Sequence, residues 1–109
     1  MIAYPEKINE AEIQARLWLD LLENGIDARL QVKTDHSRPD IVIFKDRIAR
    51  GIIECKSWSK SYLRNQRYQK CRNTKQLKKY QDTFQIPVFV CGCQASIKPA
   101  LHFAKACIK

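Results

Sequence analysis

The fold is decided by residues 39–56, which read PDIVIFKDRIARGIIECK. Two apolar runs in this stretch, Ile41 to Phe44 and Gly51 to Lys56, are short and rich in β-branched residues, which is typical of strands in a sheet. Between them, Lys45-Asp46-Arg47 makes a tight polar connection to Ile48. Because so few residues can connect strands only when they are antiparallel, the stretch predicts an antiparallel hairpin.

Hydrophobic periodicity on both sides of this hairpin predicts five further elements. They are a helix from Lys7 to Asn24 capped by Gly25, a strand from Ala28 to Thr34, a helix from about Asn73, a strand from Pro87 to Cys91 and a helix from Lys98 to Ile108. The order α-β-β-β-α-β-α predicts one α/β domain over residues 1–109, with a central mixed four-stranded sheet flanked by helices. Residues 57–72 fit neither period, and a helix extension and a mobile basic arm both remain open there.

Composition points to a polyanionic partner. The chain has 109 residues and a formal net charge of +9, from 20 Lys and Arg against 11 Asp and Glu. No acidic residue occurs between Cys55 and Gln81, so the positive charge is concentrated in one part of the chain. The five cysteines lack the paired spacing of a disulfide framework, and no apolar run is long enough to cross a bilayer. We therefore expect a soluble, intracellular protein with reduced thiols and no membrane partner.

Three charged residues stand on or beside the hairpin strands. Glu54 and Lys56 project from one side of their strand because side chains alternate, and the hairpin brings Asp40 close to Glu54. Paired carboxylates repel each other unless a cation lies between them, and Mg²⁺ prefers such oxygen ligands. A cross-strand salt bridge from Lys56 on a solvated face is the simpler alternative for these residues taken alone.

The motif resembles that of the PD-(D/E)xK nuclease superfamily. Pro39-Asp40 is followed, after thirteen residues, by Glu54-Cys55-Lys56, each on or beside an apolar strand. Gln76-Leu77-Lys78-Lys79-Tyr80 is similar to the Q-x-x-x-Y signature of the RecB-like branch. The first helix resembles that of the nuclease domain of type I restriction R subunits, and the VRR-NUC group is similarly close from Gln76 to Lys105. The resemblance implies a restriction-endonuclease-like αβββαβ core.

The resemblance also implies a set of site residues. Asp40 and Glu54 would be ligands of Mg²⁺, or of Mn²⁺, together with the backbone carbonyl of Cys55. Lys56 would act beside the attacking water, and Gln76 near the metal-bound phosphate. An acid of the first helix would complete the metal site, and Glu10 matches that position better than Glu12. Favourable placement of both acids at the helix dipole is the alternative.

The acid-free segment supplies candidate nucleic-acid contacts. Basic and aromatic side chains mixed in this way suit phosphate tracking and base stacking, although a merely solvated basic face is the alternative. The candidates are Trp58, Lys60, Tyr62, Arg64, Arg67, Lys70, Arg72, Lys75, Lys78 and Lys79. No module that reads a DNA sequence is recognisable, so specificity is expected from DNA structure or from a partner protein, which would also supply any motor.

The sequence therefore favours a Mg²⁺-dependent DNA endonuclease. A nucleic-acid-binding or assembly module that keeps the fold without cleaving is the second hypothesis, and a basic adaptor for RNA is the third. DNA is the expected partner, and a homodimer is compatible with cutting both strands.

Overall fold

Three helices and four strands make up the part of the chain that a computed structural model describes, which is residues 2–3, 9–34, 38–56, 78–92 and 97–109. The predicted order of elements is confirmed in these residues. The elements are α1 (Glu10–Glu23), β1 (Asp27–Leu30), β2 (Ile41–Lys45), β3 (Ile48–Cys55), α2 (residues 78–84), β4 (Val88–Cys91) and α3 (Ile97–Cys107). No helix within the described ranges has both the length and the apolar character that a membrane span requires.

The four strands form one mixed sheet in the order β1-β2-β3-β4. The β1/β2 and β2/β3 pairs are antiparallel, while β3 and β4 are parallel. A parallel pair needs a crossover connection, and the chain between β3 and β4 includes α2. The prediction of a small α/β domain around a mixed four-stranded sheet is therefore confirmed.

The link between β2 and β3 is a two-residue turn made of Asp46 and Arg47. Lys45 pairs with Ile48, and both central residues have positive φ, 53° for Asp46 and 67° for Arg47. Two positive φ values in a two-residue loop define a type I′ turn, whose twist matches the flanking strands. Gly, Asn and Asp tolerate positive φ, whereas other residues are strained there, so the tight twist of the hairpin costs some stability at Arg47.

The double substitution Asp46→Asn/Arg47→Gly in this turn should stabilise the protein by about 1 kcal/mol, because asparagine and glycine suit positive φ. Urea unfolding measures the change as a shift in midpoint at constant slope. Arg47→Ala is the matched control, since it removes the same side chain but keeps the Cβ, and it should give no such gain. An equal gain from both variants would show that the side chain, and not the backbone, is the source of the strain.

α1 and α3 pack together on one face of the sheet. Ile13, Leu17 and Leu21 of α1 are fully buried there, as are Ala100 and Ala104 of α3. The two alanines allow a close approach of α3 to the sheet. The closest point is Gly51, where a Cβ would come within 2.7 Å of Cys107 Sγ, so this position in β3 requires glycine or a shift of the helix side chain.

The opposite face of the sheet carries Val42, Ile52 and Glu54. Strand alternation places them there, since Ile41, Ile43 and their neighbours belong to the core beneath α1 and α3. Val42 and Ile52 are nonetheless buried, with 4% and 1% of their surface exposed. The sheet is thus apolar on both faces, and Glu54 is the one charged residue among the buried ones in the described chain.

The two strand boundaries furthest from the prediction have clear physical causes. The strand expected to reach Thr34 ends at Leu30, because Gln31 has φ of 51° and turns the chain out of the extended conformation. Leu30 itself is 37% exposed and so does not belong to the core. β3 begins at Ile48 and not at Gly51, since a register shift opposite Ile43 and Phe44 absorbs one extra residue as a bulge.

Candidate active site

Glu54 lies at the carboxyl end of β3 and is only 4% exposed. The register pairs Ile41 with Ile53, which brings the residue before β2, Asp40, next to Glu54. The Asp40 backbone N–H donates a hydrogen bond of 3.1 Å to Glu54 Oε1. The predicted approach of these two acids across the hairpin is therefore present, and it follows directly from the antiparallel register.

The Asp40 carboxylate is held by both oxygens. The backbone N–H of Cys55 donates to Asp40 Oδ2 at 2.8 Å, and Gln31 Nε2 donates to Asp40 Oδ1 at 3.2 Å. Gln31 also donates its backbone N–H to the Asp40 carbonyl at 2.9 Å. These contacts fix the carboxylate at the end of the sheet beside Glu54, so the side chain is oriented before any ligand is bound.

Burial and neighbouring charge make Glu54 unusually basic. Burial is the largest cause, followed by the Asp40 carboxylate, and together they raise the pKa of Glu54 to about 7. The charge of Glu10 raises this pKa further, while the backbone hydrogen bond from Asp40 and the charge of Lys56 lower it. Asp40, Lys56 and Glu10 therefore all lie within electrostatic reach of one buried carboxylate.

Lys56 continues β3 by one residue beside β4. Its backbone N–H donates a 2.9 Å hydrogen bond to the Cys91 carbonyl, and its side chain is half-buried. This bond extends the parallel ladder, which supports the expectation that Lys56 leaves β3 on the same side as Glu54. The position of the lysine thus depends on β4, whereas the two acids are brought together by the hairpin alone.

Cys55 points to the other face, as expected, and pairs with Cys91 in the core. A hydrogen bond with Cys91 and burial raise the pKa of Cys55 well above its usual range. Cys55, Cys91 and Cys107 are free thiols, which fits the predicted reduced state. Because a buried thiol that keeps its proton is a poor nucleophile, Cys55 serves the site only through its backbone.

Glu10 and Glu12 occupy the first turn of α1, and the two acids have different environments. Asn9 caps this helix, accepting a 2.8 Å hydrogen bond from the Glu12 backbone N–H at its Oδ1. Only Glu10 contributes to the pKa of Glu54. This favours Glu10 over Glu12 as the acid of α1 that belongs to the cluster, although both are also favourably placed at the positive end of the helix dipole.

The carboxylates have the chemistry that a hard divalent cation requires. Glu54 Oε2 has no hydrogen-bond donor among the described residues, although the side chain is buried. Asp40 and Glu54 are adjacent, and one or two carboxylates are what Mg²⁺ usually takes from a protein, the remaining ligands being water and phosphate. Within the described ranges, no group of three His, Cys, Asp or Glu side chains is arranged to hold a metal ion. The acid pair therefore offers two carboxylates to a cation within the described ranges.

Not all of the predicted site residues lie in the described part of the chain. Gln76 and the candidate nucleic-acid contacts from Trp58 to Lys75 lie outside the described residues. Lys78 and Lys79 are described, lie in α2 and are exposed. The sequence did not indicate a role for Gln31. Its contact with Asp40 depends on a positive φ at the end of β1, and no local motif predicts that conformation.

The chain is thus a small α/β domain whose mixed sheet carries an acid pair at one end. Comparison with known families, curated proteins and solved structures gave no match to this chain.

Proposed function

We propose that this protein is a metal-dependent DNA endonuclease with a restriction-endonuclease-like fold, which hydrolyses phosphodiester bonds and is guided by DNA structure or by a partner protein. The observation that carries the proposal is the pairing of two carboxylates at the end of the hairpin. The buried Glu54 accepts the Asp40 N–H at 3.1 Å, and the Cys55 N–H holds the Asp40 carboxylate at 2.8 Å. The charges of Asp40, Lys56 and Glu10, which the motif resemblance selects, all act on Glu54. A structural salt bridge does not account for this arrangement, since two of the three neighbours are acids that repel Glu54.

Asp40 and Glu54 are the residues that would hold Mg²⁺ or Mn²⁺, with Glu10 and the Cys55 carbonyl in support. A bound divalent ion would lower the pKa of a water and neutralise charge on the phosphate. The protein's own contribution is orientation: the Cys55 N–H and Gln31 fix the Asp40 carboxylate. Lys56 presents an ammonium group beside the acids, where it would orient the attacking water or stabilise negative charge developing on the phosphate.

The proposal is tested by cleavage of labelled linear, flapped, four-way-junction and single-stranded DNA with Mg²⁺, Mn²⁺ or EDTA. We expect cleavage with metal, none with EDTA, and a loss of at least about a hundredfold in Asp40→Asn, because that variant weakens the metal site. Asp46→Asn is the matched control, since it removes an exposed carboxylate in the turn at the other end of the hairpin. Equal activity of Asp40→Asn and Asp46→Asn would overturn the assignment.

A second candidate is a nucleic-acid-binding or assembly module that does not cleave. The described residues favour it in one respect, because they contain no third side chain positioned with Asp40 and Glu54 as a metal ligand. The same panel separates the two functions. Binding of DNA without cleavage under either metal would establish the second candidate.

A further inference from the structure

We propose that α3 is a second nucleic-acid contact, which binds the phosphate backbone of duplex DNA along a line of exposed basic residues outside the acid pair. This inference deepens the proposed function and rests on it for the choice of DNA over other polyanions. The line, here called the α3 stripe, consists of Lys98, His102, Lys105 and Lys109.

The first three residues of the α3 stripe share one face of the helix. Lys98, His102 and Lys105 follow one another at spacings of four and three residues, which brings their side chains into a row. All three are exposed, and the buried Ala100 and Ala104 lie on the opposite side of the helix. Lys98 and Lys105 are about 10 Å apart along the axis, at 1.5 Å per residue. Lys109, also exposed, extends the row beyond the helix end.

The charge pattern of α3 differs from that of an ordinary solvated helix. On α1, Glu12, Arg16 and Asp20 follow at four-residue spacing with alternating sign, so each charge has an opposite neighbour within the helix. Residues 97–109 contain no acid at all, and from Cys55 to the end Asp82 is the single acidic residue against twelve Lys and Arg. The positive charges of α3 therefore repel one another, and no acid of the same helix compensates them. A polyanion would supply that compensation.

Lys98 has a different environment from the other lysines of the α3 stripe. It is the second residue of α3, in a first turn without acids, where the helix dipole disfavours a cation. It lines a groove between α1 and α3 together with Asp20 and Glu23, so acids of α1 lie beside it. Lys105 and Lys109, near the other end of the helix, suit the dipole but have no acid in residues 97–109 beside them.

The two ends of α3 lie near opposite ends of the sheet. β3 and β4 end together, with Cys55 opposite Cys91, so α3 begins near the end of the sheet that carries Glu54. Lys45 Nζ donates a 2.7 Å hydrogen bond to the Ile108 carbonyl, which places the other end of α3 beside the β2–β3 strand pair at its turn. The α3 stripe thus runs from the end of the sheet that carries Glu54 toward the end that carries the β2–β3 turn. It lies on the helix-covered side, opposite the sheet face of Glu54.

The test is duplex binding in EDTA, where no metal-dependent cleavage occurs, measured by fluorescence anisotropy over a series of salt concentrations. The triple variant Lys98→Gln/Lys105→Gln/Lys109→Gln should bind at least about tenfold more weakly at about 0.1 M salt. The slope of log K against log salt should fall by about 0.9 for each phosphate that the variant no longer neutralises. The triple arginine replacement of the same lysines should retain binding, which excludes a packing effect.

A matched control removes three charges elsewhere, by Lys33→Gln/Arg47→Asn/Arg50→Gln at exposed positions. An equal loss in both triple variants would overturn the inference, because net charge alone would then be responsible. Unchanged duplex binding in the α3 variant would also overturn it. A variant that loses binding to vesicles containing phosphatidylserine but keeps its binding to duplex DNA would overturn it as well, because the α3 stripe would then be a lipid-binding surface. Because binding is measured without cleavage, this outcome is independent of whether the protein cuts DNA.

Discussion

At pH 8 and without metal, Glu54→Gln should be more stable than the parent protein by about 3 kcal/mol, while at pH 4.5 the two should be nearly equal. The pKa of Glu54 is raised from 4.5 to about 7 in the folded protein, mainly by burial and then by Asp40. Between pH 4.5 and about 7, Glu54 keeps its proton in the folded state but has lost it in the unfolded state. The free energy of unfolding of the parent therefore falls as the pH rises through this window, by about 1.4 kcal/mol per unit of pKa shift.

Glutamine cannot ionise, so the variant is not subject to this loss, and its carbonyl can still accept the Asp40 N–H. Urea unfolding in EDTA at pH 4.5, 6 and 8 measures the difference. Glu23→Gln, an exposed carboxylate at the end of α1, is the matched control. A stability difference that is the same at every pH would contradict the prediction. Added Mg²⁺ should stabilise the parent at pH 8 and leave Glu54→Gln unchanged, because binding to the folded state alone shifts the unfolding equilibrium.

Lys56→Met should reduce the single-turnover rate of DNA cleavage by about a hundredfold to a thousandfold, the usual loss when a group that stabilises developing charge is removed. The half-buried aliphatic stem is preserved in methionine, so the fold should be retained. Stability in EDTA gives a second readout. The Lys56 charge lowers the pKa of Glu54 in the metal-free protein, so its removal should extend the loss of stability to higher pH.

Lys33→Met is the control for this experiment, since Lys33 is exposed and follows β1. It should leave both the rate and the pH dependence of stability close to those of the parent. A lowered rate in Lys56→Met with an unchanged pH dependence of stability would mean that the lysine does not act near Glu54. A rate equal to that of the parent would remove Lys56 from the site altogether.

The sequence predicted the hairpin and the meeting of Asp40 with Glu54 because these depend on local rules. A two-residue link and strand alternation fix the register, and the register fixes which side chains are neighbours. The parallel position of β4 was not assigned in advance, since a crossover is not determined by the residues that flank it. It was the formation of the sheet that placed Cys91 beside Cys55 and anchored Lys56.

The parts that the sequence did not predict depend on backbone geometry and on burial. Gln31 carried no signal because its contact with Asp40 follows from a positive φ, which residue type alone does not reveal. Helical periodicity alone does not decide between Glu10 and Glu12. The resemblance favoured Glu10, and the folded structure shows that Glu10 is the one of the two whose charge acts on Glu54. The raised pKa of Glu54 could not be predicted from the sequence because it depends on burial of both sheet faces. An antiparallel hairpin is often solvated on one side.

The anchoring of Lys56 by β4 has a consequence for partial unfolding. Asp40 and Glu54 are 14 residues apart and meet within one hairpin, whereas the Lys56 backbone contact reaches to Cys91 in a different strand. Local opening of β4 and α3 would release the lysine and leave the acids in register. Amide exchange at Lys56 therefore reports on the closed state of the whole sheet, while exchange at Asp40 and Cys55 reports on the hairpin. Partial unfolding would therefore displace Lys56 before it separates Asp40 from Glu54.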